Sequence, residues 1–415
     1  MHTSLGHLGY CTNIHAGEHW VEHFAALQRA IPPLKNRLTP DAPLGLGLRL
    51  SDVASTELAA GTRVAELRQW LTETGCYVFT MNGFPFGGFH GVRVKDAVHK
   101  PDWTTPERVA YTNRLFTLLA QLQTGPLTTQ PGISTSPLSY RHWFRWGDAD
   151  ARDAVFTQTT QNLLEVVTHL VKLEAETGLA MHLDLEPEPD GLLETADEFV
   201  RWFTDYLLPM GERHLAGEFG MSAAAAGEAL RRHVQLCYDV CHFAVGYERP
   251  ADVLTKLKAA DLRVGKIQIS AALKATFPAE TEGREAIRQA FAGFNEPTYL
   301  HQVVARTQAG ELVRFNDLPD ALAQFSEAHA EWRSHFHVPI FVEDYGLLQS
   351  TQDDIREVLR LQAETPFTDQ MEVETYTWEV LPEGLKLNLV DSIERELNWV
   401  RQVVNRSAEA ERLSE

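Results

Sequence analysis

The chain is poor in cysteine, with only Cys11, Cys76, Cys237 and Cys241 in 415 residues. That is too sparse for a disulfide framework, and the C-x3-C spacing of Cys237 and Cys241 suits neither a zinc knuckle nor a thioredoxin-type redox pair. All four read as reduced packing residues, which favours a cytoplasmic setting. No run of about 18 apolar residues occurs, so no membrane-spanning helix is expected. The segment MHTSLGHLGYCTNIHAGEHW lacks the basic-then-apolar order of a secretory leader. Positive charge is also scarce: 37 Lys and Arg against 57 Asp and Glu give a net charge of −20. A field of that sign repels phosphate backbones and anionic lipid, which disfavours nucleic-acid binding and membrane insertion. There is no P-loop, no strand-linked GxGxxG and no GxSxG elbow, which argues against ATP or dinucleotide use and against a serine-hydrolase elbow.

What remains is an ordinary globular composition, 44% hydrophobic and 23% charged, with a generous 17 His. Collagen-like, coiled-coil and wholly disordered architectures are excluded. Short strand-like runs alternate with helical stretches: YCTNIH at 10–15, LGLRLS at 46–51, YVFTMN at 77–82, GISTSP at 132–137, MHLDLEPEP at 181–189, VQLCYD at 234–239, KIQIS at 266–270 and MEVETYTW at 371–378. Eight β/α units predict an α/β fold, a (β/α)8 TIM barrel. Parity supports this. Leu183 and Leu185 oppose His182, Asp184 and Glu186; Ile267 and Ile269 oppose Lys266, Gln268 and Ser270. Successive strand residues face opposite sides, so the apolar set faces the helices and the polar set faces the lumen. Residues 1–405 are expected to form one barrel domain and 406–415 a frayed tail. A long insertion, about 293–343, is expected over the barrel mouth between the seventh and eighth barrel strands. It includes a hairpin around Thr307-Gln308-Ala309-Gly310 and a strand-like HFHVPIFVE at 335–343.

Five segments could carry chemistry. In CYDVCHFAVGYERP at 237–250, Asp239 ends a strand and His242 follows three residues later. Asp239 could bind a cation, with His242 on a neighbouring ion or on substrate; equally, Asp239 could simply cap a helix. In HLDLEPEPDG at 182–191, Asp184, Glu186 and Glu188 share a parity, and carboxylates stacked inside a barrel need a cation or a basic partner such as Lys266. Glu372, Glu374 and Tyr376 share a parity in the eighth run, with Glu374 near the strand end. His335 and His337 stand on one face of an extended segment, a better ligand set than a lone His. FTMNGFPFGGFHG at 79–91 is a loop that brings Asn82, Phe84 and His90 to a ligand, or else a glycine-rich connection packed by aromatics. Glu186, Asp239, Gln268 and Glu374 all fall at expected carboxyl ends of barrel strands, where barrel active sites lie. Their agreement favours a divalent-metal site over a merely structural polar lumen.

These residues together resemble the xylose isomerase-like TIM-barrel superfamily of sugar isomerases, ketose epimerases and endonuclease IV enzymes. CYDVCHFAVG is similar to the endonuclease IV segment that carries a metal-binding Asp and His. The resemblance implies ligand roles for Glu186, Asp239 and Glu374, with Gln268 where a His is usual, a change that favours manganese or magnesium over zinc. His242, His335 and His337 would match a separate metal of endonuclease IV. Its two remaining His ligands have no counterpart, since Asn82 and Ser136 stand at those strand ends. Over nearly the whole chain the likeness is to EboE-type metabolite-traffic proteins, carried by LGYCTNIHAGEHW, FTMNGFPFGGFHG, HFHVPIF and MEVETYTWEVLP. That implies a role in secondary-metabolite traffic, with pathway partner proteins.

The expected function is a divalent-metal-dependent (Mn, Zn, Mg or Fe) isomerase or epimerase acting on a small polyhydroxylated metabolite. Glu186 and Glu374 would serve as ligands and general bases, and His242 would hold substrate. Asn82, Phe84, His90 and Trp378 would contact it, with Phe84, Phe86 and Trp378 as an aromatic wall. Two alternatives stand beside this. One is metal-dependent hydrolysis of a phosphoester at the His242, His335 and His337 site; the other is a non-catalytic metabolite-binding barrel, motivated by Gln268.

Overall fold

Why the strands close into a barrel is visible in Leu44–Arg49. Leu44, Leu46 and Leu48 are fully buried against the helices, while Gly45, Gly47 and Arg49 take the other parity. A Cβ on Gly47 would collide with the Glu372 carboxylate, and one on Gly265 with that of Asp184. Glycine on these strands therefore makes room for carboxylates pointing inward from other strands. The computed structural model describes residues 1–88, 93–123, 130–379, 381 and 388–412.

Among the described residues, fifteen strands lie in two sheets. The first holds β1 (His2–Thr3), β2 (Gly6–Tyr10), β3 (Leu44–Arg49), β4 (Cys76–Asn82), β5 (Gly132–Thr135), β6 (His182–Leu185), β7 (Val234–Asp239), β8 (Val264–Ile269) and β15 (Gln370–Val373), in the order β1-β2-β15-β8-β7-β6-β5-β4-β3. Apart from the β1–β2 hairpin, every pairing is parallel. A parallel bridge between Cys11 and Gly47 brings β2 back to β3, and the Arg49 N–H donates to Thr12 Oγ1 at 2.8 Å. The result is a (β/α)8 barrel with one added edge strand.

Two readings of the sequence need correcting. The first barrel strand is Gly6–Tyr10, not residues 10–15; after Cys11 the chain turns into a 3-10 helix at Thr12–Ile14, which carries Asn13 inward at the strand's carboxyl end. Residues 335–339 are not strand. The strand ends at Ser334, and the backbone N–H groups of His335 and Val338 go to Gln302 O and Ala271 O instead. The helix Leu389–Arg412 extends into the stretch expected to form the tail. AEAER keeps strong helix formers there, while Ile393, Leu397, Val400 and Val404 anchor the helix in the core.

Between β8 and β15 lies a second, antiparallel sheet of β9 (Leu273–Thr276), β10 (Val303–Thr307), β11 (Leu312–Phe315), β12 (His329–Ser334), β13 (Asp344–Tyr345) and β14 (Leu348–Ser350), ordered β11-β10-β12-β9-β14-β13. β10 and β11 form the hairpin around Thr307–Gly310. The sheet starts about twenty residues before 293 and runs past 343. Trp332 and Leu348 of this sheet belong to the same apolar core as Leu236 and Ile269 of the barrel. Its connecting segments at 299–302 and 335–337 reach the carboxyl ends of the barrel strands.

Candidate metal centre

Three carboxylates meet where β6, β7 and β15 end. Ligand atoms of Glu186, Asp239 and Glu374 lie within 4.8 Å of one another, all buried. Asp239 reconciles the two readings of its motif. Its Oδ1 accepts from the His242 backbone N–H at 3.0 Å and from Ser270 Oγ at 2.8 Å, capping the helix Val240–Val245; its Oδ2 faces the other carboxylates. Glu374 is the best held: Asn13 and Asn82 donate to its Oε1 at 2.8 and 2.7 Å, and Gln268 donates to its Oε2 at 2.6 Å. Glu186 Oε2, by contrast, is buried with no hydrogen-bond partner among the described residues.

The Gln268 side-chain NH2 stands among all three carboxylates, 3.1 Å from Glu186 and 3.2 Å from Asp239 besides Glu374. It has two hydrogens for three acceptors, so it cannot satisfy the cluster. Its carbonyl oxygen faces Cys237 Sγ at 2.9 Å. Burial, with the neighbouring Glu374 and Asp239 charges, pushes the Glu186 carboxyl well above its usual range. Burial and the Asp239 and Glu372 charges raise Glu374 to about 8.

The three histidines form a second knot beside the first. His242 Nε2 is 3.1 Å from His335 Nε2 and 3.4 Å from His337 Nε2. Each ring's Nδ1 faces an oxygen that can only accept: Pro187 O at 3.2 Å for His242, Gln302 Oε1 at 2.7 Å for His335, and Glu374 O at 3.1 Å for His337. Gln302 is fixed in that orientation because its NH2 donates to Pro189 O at 2.9 Å. Each Nδ1 therefore carries the proton. Burial, and for His242 and His335 the other rings as well, pushes the three pKa values down, those two well below 6.5. Neutral rings so fixed direct three Nε2 lone pairs at one another. That arrangement is repulsive without a cation, and it is the tautomer a metal-ligating His adopts when its other nitrogen is held by an acceptor. Ligand atoms of Glu188, His242 and His335 also lie within 4.8 Å of one another, as do those of Asp239, His242 and His337. The two knots are thus contiguous, hard oxygen on one side and imidazole on the other. Oxygen donors suit magnesium or manganese and imidazole suits zinc or iron. The orphaned Glu186 oxygen and the converging lone pairs both fit a divalent ion.

A cavity of about 60 Å³ opens above these groups. Glu186, Glu374, His242, His335 and His337 line it, with Asn82 and Phe84; Asp239 and Gln268 lie behind this lining. Trp378 does not reach it: its ring stacks on Phe341 at 6.3 Å. Phe86 packs on Tyr111 instead. His90 lies outside the described residues. Several contributors escaped sequence reasoning as site residues. Asn13 was hidden by reading its segment as strand. Glu188 continues the alternation of Asp184 and Glu186 beyond the strand and lies 3.0 Å from His99. Gln302, far away in sequence, has no local signal at all. Tyr376, in line with Glu372 and Glu374, holds the place expected of Trp378, its ring 4.6 Å from that of His337.

No protein-family model matches the chain, and no curated protein does. Similar solved structures include a xylose isomerase-like TIM-barrel protein from Mycobacterium smegmatis in complex with magnesium, at 12% identity and TM-score 0.48, over 92% of this chain and 90% of that one. The IolI protein with a bound zinc atom is 12% identical, with TM-score 0.48, over 97% and 99% of the two chains. The 3-keto-D-glucoside 4-epimerase YcjR from E. coli, in its apo form, is 12% identical with TM-score 0.44 over 95% and 98%. At this level of likeness no ligand, substrate or residue role passes from those proteins to this chain.

Proposed function

We propose that this barrel is a divalent-metal-dependent isomerase or epimerase acting on a small hydroxylated carbonyl compound, at a step in secondary-metabolite handling. The carrying observation is the buried Glu186, Asp239 and Glu374 triad, three converging carboxylates at the strand ends that share the neutral Gln268 amide. Glu186, Asp239 and Glu374 would hold the ion, with Gln268 turning its amide oxygen inward, and His242, His335 and His337 would extend the ligand set. A bound divalent ion would supply Lewis-acid stabilisation of negative charge on substrate oxygens next to the reacting carbon.

The chain's own residues divide the remaining work. Glu374 is anchored by the Asn13 and Asn82 amides and serves as a fixed ligand. Glu186 keeps one oxygen free of partners and is the better proton acceptor. It would take the proton from the carbon next to the carbonyl and return it to the former carbonyl carbon, while the hydroxyl proton passes to the carbonyl oxygen, which isomerises; epimerisation would instead need a second acid to protonate the opposite face, a role open only to a carboxyl such as Glu374 in its protonated form. Contiguous clusters also suit a two-ion phosphoester hydrolase, and the Gln268 amide among the carboxylates suits a non-catalytic binding barrel.

Elemental analysis of tag-free protein before and after chelator dialysis separates these readings. One manganese, magnesium, zinc or iron per chain, lost in Glu374→Ala, supports isomerase or epimerase chemistry, and two ions favour the hydrolase. No ion, and no gain in thermal stability on adding any, overturns the metal-dependent reading.

A further inference from the structure

Resting on that metal-dependent reading, we infer that the substrate is uncharged, with its adjacent oxygens at one end and an apolar body at the other. The cavity has two unlike walls. One is the carboxylate and imidazole floor. The other is an apolar cluster in which Val94 and Tyr299 are buried, with Val98 and Tyr376 packed against them and Tyr376 joining them to the main core. All four line the cavity, joined by Leu300.

The cluster is drawn from three distant parts of the chain: the 3-10 helix Lys95–His99 with the preceding Val94, the 299–300 connection, and the stretch after β15. Backbone hydrogen bonds from Val94 and Lys95 to Thr298 O, at 2.8 and 3.0 Å, hold the first two together.

Charge points the same way. Among the described lining residues Lys95 is the one permanent cation, and its Nζ is taken by Asp317 at 2.7 Å and Glu296 O at 3.4 Å. Away from the ion, a phosphate or carboxylate substituent would face Glu186, Glu188 and Glu374, and no described lining residue offers it an unpaired cationic side chain. Extra hydroxyls would meet valine and tyrosine faces, and each one buried there without a partner weakens binding by about tenfold. The polyhydroxylated substrate expected from the sequence is thereby narrowed to one whose hydroxyls are confined to the end that meets the metal.

The test uses full-length protein reconstituted with cobalt(II), whose visible absorption bands report ligands that reach the ion. Three probes share one α-hydroxyketone and differ in the rest: 2-hydroxycyclohexanone, its ring-hydroxylated counterpart 2-keto-myo-inositol, and dihydroxyacetone phosphate. We expect the apolar ring to perturb the bands with at least about tenfold tighter binding than either other probe, since each sheltered methylene is worth about fourfold. Val98→Thr, which keeps the side-chain shape, should leave cobalt uptake unchanged and cut that preference at least about threefold. Equal or tighter binding of the inositol or phosphate probe, or a preference untouched by Val98→Thr, overturns the inference alone. Absence of cobalt bands overturns the metal-dependent reading and this inference with it.

Discussion

Glu396 offers a sharp quantitative test of how the site is supported. It projects from the C-terminal helix Leu389–Arg412 and is only 2% exposed. Its Oε1 accepts from Thr375 Oγ1 at 2.6 Å and from the Ile340 N–H at 3.2 Å. Thr375 follows Glu374, and Ile340 lies three residues beyond His337, so one carboxyl ties together the backs of both ligand-bearing segments. Burial raises its pKa from 4.5 to about 8, with the two hydrogen bonds pulling weakly the other way. A folded-state pKa above the unfolded one stabilises at low pH. That contribution is complete below about 4.5 and is lost as pH rises to about 8. At about 1.4 kcal/mol per unit, the loss across that window is on the order of 4 kcal/mol. Glu396→Gln keeps an acceptor for Thr375 and Ile340 and removes the ionisation. The variant should match the parent at pH 4.5 and exceed it by on the order of 4 kcal/mol at pH 8.5, read as a higher urea midpoint at unchanged slope. A variant destabilised equally at both pH values would refute the reasoning, because it would mean that the carboxylate is ionised throughout and held by its charge.

Two further outcomes follow from the barrel interior. Lys266 and Glu372 are fully buried and paired at 2.5 Å, so Lys266→Met alone should cost about 3 to 5 kcal/mol. Adding Glu372→Gln should recover much of that loss in the same denaturation assay; no recovery would mean that packing rather than charge dominates there. Gln302→Leu removes the acceptor that fixes the His335 tautomer, and zinc affinity at the histidine cluster should fall about 10- to 100-fold with an unchanged circular dichroism spectrum. Unaltered affinity would free His335 from a ligand role.

Most of the barrel was legible because parallel strands carry their burial pattern in the sequence. Leu183, Leu236 and Ile267 announce the face toward the helices, and Asp184, Cys237 and Gln268 the lumen. The motif around Asp239 was legible because a strand end, a cap and a following His occupy adjacent positions. Two kinds of feature were not legible. Where the backbone leaves its ladder, at Thr12–Ile14 and at 335–339, hydrogen bonds to distant carbonyls replace strand pairing, and no local periodicity records them. Where a site residue works through a partner more than 30 positions away, as Gln302 does with His335 or Asn13 with Glu374, only the fold makes the pair. The exchange of Trp378 for Tyr376 is a parity matter. Tyr376 keeps the alternation of Glu372 and Glu374, and the 3-10 helix Thr377–Glu379 then turns Trp378 toward Phe341.

The strongest argument for a cation comes from charge at successive depths of the lumen. At the bottom, His182 donates from Nδ1 to Asp184 at 2.6 Å and from Nε2 to Gln130 O at 3.0 Å. With Asp184 ionised, a doubly protonated His182 ring satisfies both of these acceptors. Burial opposes that charge, yet Asp184 beside it lifts the pKa above 6.5. One layer up, Lys266 neutralises Glu372. Each lower carboxylate thus has its own cation, supplied from a neighbouring or the same strand. At the top, Glu186, Asp239 and Glu374 share one neutral amide, and the adjoining imidazoles are held neutral by burial and by their own tautomers. A fold that pairs its buried charges at two depths and leaves three unpaired at the third, beside a cavity, has left the compensation to something that arrives from outside. Protons can stand in, which is what a Glu374 pKa of about 8 expresses. A divalent ion does the same for all three carboxylates at once, and it also turns the three Nε2 lone pairs from mutual repulsion into ligation.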